Sequence, residues 1–219
     1  MGAFRAVIFD MDGVLADTEP VYLAGINEVL KDLGLHLSTD DNKDLIGTTV
    51  EFTWDAVLKK FRLSQSREEL VARYDTVMER LLGEPRPTLP GVRPLLAELR
   101  RRRTPYALAS SSWPNWIAAL LGATGLNGSF DVIVSVTMVE HGKPAPDIFL
   151  YTAEKLAVKP EQCLVLEDTP SGIAAARAAG MYAVQMRGAS TAFPPLPAAD
   201  LTLDSLEDFP FALLDSAAS

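Results

Sequence analysis

A single cysteine, Cys163, leaves the chain unable to form an internal disulfide, so its stability has to come from a buried core. A lone thiol fits a reducing compartment, and the cytoplasm is the expected location. Cys163 lies in an apolar run, which predicts a core side chain rather than a reactive one. Positive charge is also scarce. The net charge of -9 excludes a broad nucleic-acid surface. The one basic run, Arg100 to Arg103, ends a helical pattern, where cations suit the helix dipole. Long apolar stretches are missing too. No run approaches ~18 residues, so no transmembrane helix and no membrane partner are expected. Asp10 and Asp12 interrupt any apolar stretch that a secretory signal would need. What remains is 219 residues, 48% hydrophobic and 22% charged, enough for one sizeable domain or a domain with an insertion. No repeat is present, and a monomer is expected.

The chain opens with a short apolar run, Ala6 to Phe9, that reads as a fully buried strand. From Thr18 the period changes. Leu23, Ile26, Leu30 and Leu33 recur at helical spacing, and Gly34 follows as a stop. Trp54, Val57, Leu58 and Phe61 repeat that spacing, as do Leu70, Tyr74, Val77, Met78 and Leu81. No strand is expected between Glu19 and Leu82. Gly83 to Pro87 reads as a linker. Beyond Pro90 helices alternate with short apolar strands, at Tyr106 to Ala109, Val132 to Val136, Leu164 to Leu166, Tyr182 to Gln185 and Leu201 to Leu203. Helices are expected at Val92 to Leu99, Asn115 to Leu121, Pro146 to Ala157 and Ser171 to Ala179, the last closed by Gly180. Alternating strand and helix predicts a parallel sheet of βαβ units, an α/β fold with an inserted helical block. Phe193 to Pro197 is expected to be a surface loop rather than a ligand for a proline-binding module.

Four strand ends carry polar residues. The first string is F-D-M-D-G-V-L-A-D-T, residues 9 to 18. Gly13 lets the chain turn at once, so Asp10 and Asp12 can meet at one point. An aspartate can attack phosphorus when a cation orients it, and a second carboxyl can protonate the leaving oxygen. A lone Asp after a strand also serves as turn chemistry or a helix cap. The second string is A-L-A-S-S-S, residues 107 to 112, where hydroxyls and backbone amides can bind a phosphoryl oxygen, although Ser110 alone is most often a turn or cap residue. The third is G-K-P-A-P-D, residues 142 to 147. Lys143 supplies a compact cation, Asp147 is expected to cap or orient the next helix, and His141 is a neighbour without a role. The fourth is V-L-E-D-T-P-S-G-I, residues 165 to 173, whose paired acids suit a hard cation such as Mg²⁺.

These four strings, in this order, resemble the motifs of the haloacid dehalogenase superfamily, in particular its phosphatase and phosphomutase branch. The fold class this implies is a Rossmann-like parallel-sheet core, residues 1–17 and 86–219, with a helical cap over 18–85. The layout resembles the β-phosphoglucomutase-like and phosphoglycolate-phosphatase-like subgroup. The resemblance implies that Asp10 becomes an aspartyl phosphate and that Asp12 is the general acid and base. It implies phosphate binding by Ser110, Ser111 and Lys143. It further implies Mg²⁺ held by Asp10, the backbone carbonyl of Asp12 and Asp168, with Glu167 close by. Thr18, Glu19, Gly47, Trp113 and Asn115 are expected substrate contacts, and Trp54 is expected in the cap core.

The expected activity is Mg²⁺-dependent hydrolysis of a small phosphorylated metabolite, a sugar phosphate. The alternative is a phosphosugar mutase. Mutases of this type carry a histidine near the place of Tyr22 and an arginine after the glycine matching Gly47. This chain has Thr48-Thr49-Val50 there, which favours hydrolysis, although Lys59, Lys60 or Arg62 remain as other clamps. A phosphonatase would need a cap lysine such as Lys31, Lys59 or Lys60. A non-catalytic binding protein on the same fold is a third class.

Overall fold

The computed structural model describes residues 4–188 and 193–215. Six parallel strands form one sheet in the order β3-β2-β1-β4-β5-β6. They are β1 (Ala6–Phe9), β2 (Tyr106–Ser110), β3 (Ile133–Ser135), β4 (Cys163–Glu167), β5 (Tyr182–Met186) and β6 (Leu201–Leu203). The apolar runs seen in the sequence are therefore the strands, and the shortest strands lie at the edges.

Period two explains why β1 is apolar throughout and β2 and β4 are apolar up to their polar last residues, Ser110 and Glu167. Val7, Phe9, Leu108, Leu164 and Leu166 point into one core. Ala6, Ile8, Ala109, Cys163 and Val165 point into a second core on the opposite face. Cys163 is buried there, and burial pushes its thiol up to about 11, so it stays protonated.

Eight α-helices occur among the described residues: α1 (Glu19–Lys31), α2 (Thr39–Asn42), α3 (Val50–Phe61), α4 (Arg67–Leu82), α5 (Val92–Arg102), α6 (Pro114–Ala123), α7 (Asp147–Lys155) and α8 (Pro170–Ala178). Helices α7 and α8 cover the second core through Ile148, Phe149, Ile173 and Ala176. Helix α5 covers the first with Val92, Leu95, Leu96 and Leu99, as its periodicity requires. Helices α1 to α4 lie between β1 and β2 in the chain, with no strand among them. Within this block Trp54 is fully buried and stacks edge-on to Tyr74.

Two short elements were not readable from periodicity. Helix α2 has only four residues and starts on Ser38, whose hydroxyl accepts from Asp41 N at 3.2 Å. A 3-10 turn, Lys43–Leu45, continues it. The 193–197 segment is a loop, tied down by Gln185, whose amide donates to Pro194 O and accepts from Leu196 N. The arginines at the end of α5 are solvated or paired at the surface, Arg101 and Arg102 with Glu98. None of the helices described is long and apolar enough to cross a membrane.

Candidate active site

The carboxyl ends of the three central strands, β2, β1 and β4, meet at one ammonium. Lys143 Nζ lies 2.5 Å from Asp10 Oδ1, 2.8 Å from Glu167 Oε1 and 3.4 Å from the carbonyl of Ala109. An ammonium has three protons, and all three have acceptors here. The lysine side chain is only 4% exposed, and the two acids are as deeply buried. Burial opposes the charge on Lys143, but the Asp10 and Glu167 carboxylates offset it and hold the ammonium above its usual pKa.

Asp10 follows β1 directly, and its N–H still pairs with Leu166 O, which fixes its place at the strand end. Burial pushes its carboxyl up to about 8, against the pull of Lys143 and with the push of Glu167 and Asp12. Asp12 and Asp168 are raised as well, chiefly by burial. Burial is the largest cause for all three groups, and neighbouring carboxylates add to it at Asp10 and Asp168.

Asp12 is held apart from this pair. Gly13 adopts φ +70°, and the chain folds back so that Gly13 N bonds Ala16 O. The Asp12 carboxylate accepts from Thr18 Oγ1 at 2.6 Å, Tyr22 OH at 3.1 Å and Ser112 Oγ at 3.1 Å. Thr18 and Tyr22 stand one helical turn apart at the start of α1, so both hydroxyls reach the same carboxylate. Tyr22 was named from the sequence only as a departure from histidine. Its spacing from Thr18 was the signal that could have marked it as a contact of Asp12.

The fourth motif splits its acids. Glu167 is committed at both oxygens, Oε1 to Lys143 and Oε2 to the N–H and hydroxyl of Thr169. It is oriented as a partner of Lys143 and Thr169. Asp168 differs. Its Oδ1 is buried and accepts no hydrogen bond, while its Oδ2 side presses on the Gly13 backbone, 2.1 Å from where a Cβ would sit. A buried carboxylate oxygen with no hydrogen-bond partner suits coordination of a hard cation. Among the described residues, no three acidic, histidine or cysteine side chains already converge as a metal cage. The fit is to a hard ion that takes few protein oxygens and keeps its waters, as Mg²⁺ does.

Most of the expected contacts line one cavity of about 410 Å³ between the strand ends and the helical block: Asp10, Asp12, Thr18, Glu19, Gly47, Ser111, Trp113, Lys143, Glu167 and Asp168. Gly47, at φ +73°, brings the block's loop against Thr169 of the sheet side. Two residues are placed elsewhere. Ser110 is wholly buried and does not line the cavity; its hydroxyl accepts from Ser112 N at 3.0 Å. Asn115 also lies outside the cavity. It donates to Asp75 and Glu79 of α4, beside Trp116 Nε1, which donates to Asp75 at 2.7 Å. Asp147 does not cap its helix: its carboxylate accepts from His141 N at 3.2 Å and closes the 141–147 loop. None of Lys31, Lys59, Lys60 and Arg62 lines the cavity.

The sequence profile "Haloacid dehalogenase-like hydrolase" matches residues 7–186, from the first strand to the fifth. The chain belongs to the haloacid dehalogenase-like hydrolases. This member is 37% identical over 190 residues to the fructose-1-phosphate phosphatase YqaB of Escherichia coli, covering 84% of this chain and 97% of that one. It is 31% identical over 217 residues to the β-phosphoglucomutase of Bacillus subtilis, covering 96% and 93%. It superposes with a TM-score of 0.85 and 28% identity on CbbY of Rhodobacter sphaeroides in complex with xylulose-(1,5)bisphosphate, covering 97% and 99%.

Proposed function

We propose that this chain is a Mg²⁺-dependent phosphatase that hydrolyses a small phosphorylated metabolite, a sugar phosphate, through an aspartyl phosphate on Asp10. The observation that carries the reading is the separate holding of two carboxyls that line one cavity. Asp10 is fixed by Lys143, and Asp12 is held by three hydroxyls. Family membership and the phosphatase among its relatives support it.

A carboxylate oxygen of Asp10 attacks phosphorus, and the bond from phosphorus to the ester oxygen breaks. Asp12, entering this step in its protonated form, gives its proton to the leaving oxygen, so the alcohol departs neutral. The Asp12 carboxylate then takes a proton from water, whose oxygen attacks phosphorus. The bond to Asp10 breaks, and both carboxyls return to their starting states with release of inorganic phosphate. Lys143 screens the Asp10 carboxylate from the incoming dianion, and Ser111 with the amides after β2 holds phosphoryl oxygens. Ser110 acts beneath them, fixing Ser112 through its backbone amide. Mg²⁺ would be held by Asp10, the Asp12 carbonyl and Asp168 with Glu167 close by, and would supply charge neutralisation for the phosphoryl group.

The helical block, 18–85, acts as a cap over a core of 1–17 and 86–219, and its faces toward the cavity choose the leaving group. Thr18, Glu19, Gly47 and Trp113 are the substrate contacts of this reading. Tyr22 and the Thr48-Thr49-Val50 run favour water over a second sugar hydroxyl as acceptor. The chain works as a cytoplasmic monomer without nucleic acid or membrane. Phosphate release from a panel of sugar phosphates, with Mg²⁺ and with chelator, tests the reading. Metal-dependent phosphate is expected. Glucose 6-phosphate formed from β-glucose 1-phosphate without free phosphate would contradict it.

A further inference from the structure

The cavity is short of positive charge. Lys143 is the one cation among the described residues that line it, and residues 1–3, 189–192 and 216–219 contain no lysine, arginine or histidine. That lysine is already shared between Asp10 and Glu167 at the strand ends. Away from those ends, the charged groups on the cavity are Asp17, Glu19 and Glu51, all acids. The basic side chains of the helical block face elsewhere, and Lys60 is spent on Asp41 at 2.6 Å.

One feature of the block could receive a second anion without a cation. The N-terminus of α3 opens on the cavity through Thr49, Val50 and Glu51, and helix N-termini favour anions. Here Thr49 Oγ1 accepts from Phe52 N, and Glu51 is an acidic residue of the first turn, which the helix dipole already favours. A second phosphate or a carboxylate on this side of the cavity would face Glu51 with no counter-charge among the block's lining residues. Uncharged groups on the cavity include Asn42 and Thr48 of the block and the ring of Trp113 opposite the block. They suit hydroxyl hydrogen bonds and the apolar face of a carbon skeleton, and glutamate oxygens accept from hydroxyls as readily.

We infer that the substrate is a monoester carrying one phosphate on an uncharged polyhydroxyl skeleton, and that Glu51 and Glu19 reject esters with a second anionic group. The inference rests on the phosphatase reading and narrows it: sugar and alditol monophosphates enter, while sugar bisphosphates and phosphorylated carboxylates do not. It also removes the bisphosphate intermediate that transfer between two hydroxyls of one sugar would have to hold.

The test uses matched esters that differ by one anionic group, fructose 1-phosphate against fructose 1,6-bisphosphate and 2-hydroxyethyl phosphate against phosphoglycolate, with Mg²⁺ throughout. The expected kcat/KM favours the singly anionic member of each pair by roughly 100-fold. Glu51→Lys should shift the fructose ratio toward the bisphosphate by at least about tenfold. Equal turnover within the pairs, or a ratio that Glu51→Lys leaves unchanged, would overturn the inference. If no ester is hydrolysed, the phosphatase reading falls, and binding decides the inference by itself. Calorimetry on Asp10→Asn should then show tighter binding of the monophosphate, and tighter binding of the bisphosphate would overturn it.

Discussion

Gly172 leaves the space that Glu167 occupies: a Cβ at 172 would fall 1.7 Å from Glu167 Oε1. The glycine is inside helix α8, where alanine is intrinsically favoured by about 1 kcal/mol. Local propensity therefore predicts that Gly172→Ala stabilises the protein, and the contact predicts the reverse. The contact wins, because Glu167 is held on three sides by Lys143 and Thr169 and cannot retreat without breaking those bonds. Gly172→Ala should lower the melting temperature and the turnover together, measured by calorimetry and phosphate release. A more stable, fully active variant would show that Glu167 does not position Lys143.

Removing the ammonium itself has a larger cost. Lys143→Met leaves Asp10 and Glu167 facing each other in a buried place. Breaking a buried ion pair from one side costs about 3–5 kcal/mol. Denaturant unfolding should show that loss, with turnover down by at least about 100-fold. Mg²⁺ should restore part of the stability and none of the turnover.

The pH dependence follows from Asp10. In the folded, chelated protein its carboxyl releases a proton near 8, whereas in the unfolded chain it does so near the ordinary 3.8. Between those values the folded state holds a proton that the unfolded state has lost, so raising the pH favours unfolding. The slope reaches about 1.4 kcal/mol per pH unit for one such group. Stability of the chelated protein should fall between about pH 4 and 8 relative to Asp10→Asn, which cannot titrate there. Mg²⁺ should protect more as the pH rises, since the cation takes the place of the proton.

Asp75 ties the helical block to the sheet side. It accepts from Trp116 Nε1 at 2.7 Å and from Asn115 at 2.9 Å. Asp75→Ala leaves the N–H of a fully buried indole without an acceptor, at about 1–3 kcal/mol. Thermal unfolding should register that loss, and an unchanged melting temperature would show that the tie carries no stability.

The parts of this site that were legible in the sequence are those set by strand ends. Asp10, Glu167 and Asp168 had to lie together because parallel strands bring their carboxyl ends to one edge, and buried strands announce themselves as apolar runs. Lys143 was legible from its string alone, since nothing local fixes where a loop lysine points. What failed to read was side-chain direction once the strand ends. Ser110 and Ser111 are adjacent, and only the second reaches the cavity. Asn115 turned to α4 because two carboxylates wait there, a contact across 40 residues that no periodicity encodes. The split of Glu167 from Asp168 depended on Thr169 and on the absence of a side chain at Gly172.

The most direct test of the central claim is to quench the protein with acid during turnover of a sugar monophosphate and locate the phosphoryl group by peptide mass spectrometry. One phosphoryl group is expected on the peptide containing Asp10, with none on the same peptide of Asp10→Asn, which should also release no phosphate. A phosphoryl group on another residue, or full turnover by Asp10→Asn, would contradict the assignment of Asp10 as the nucleophile.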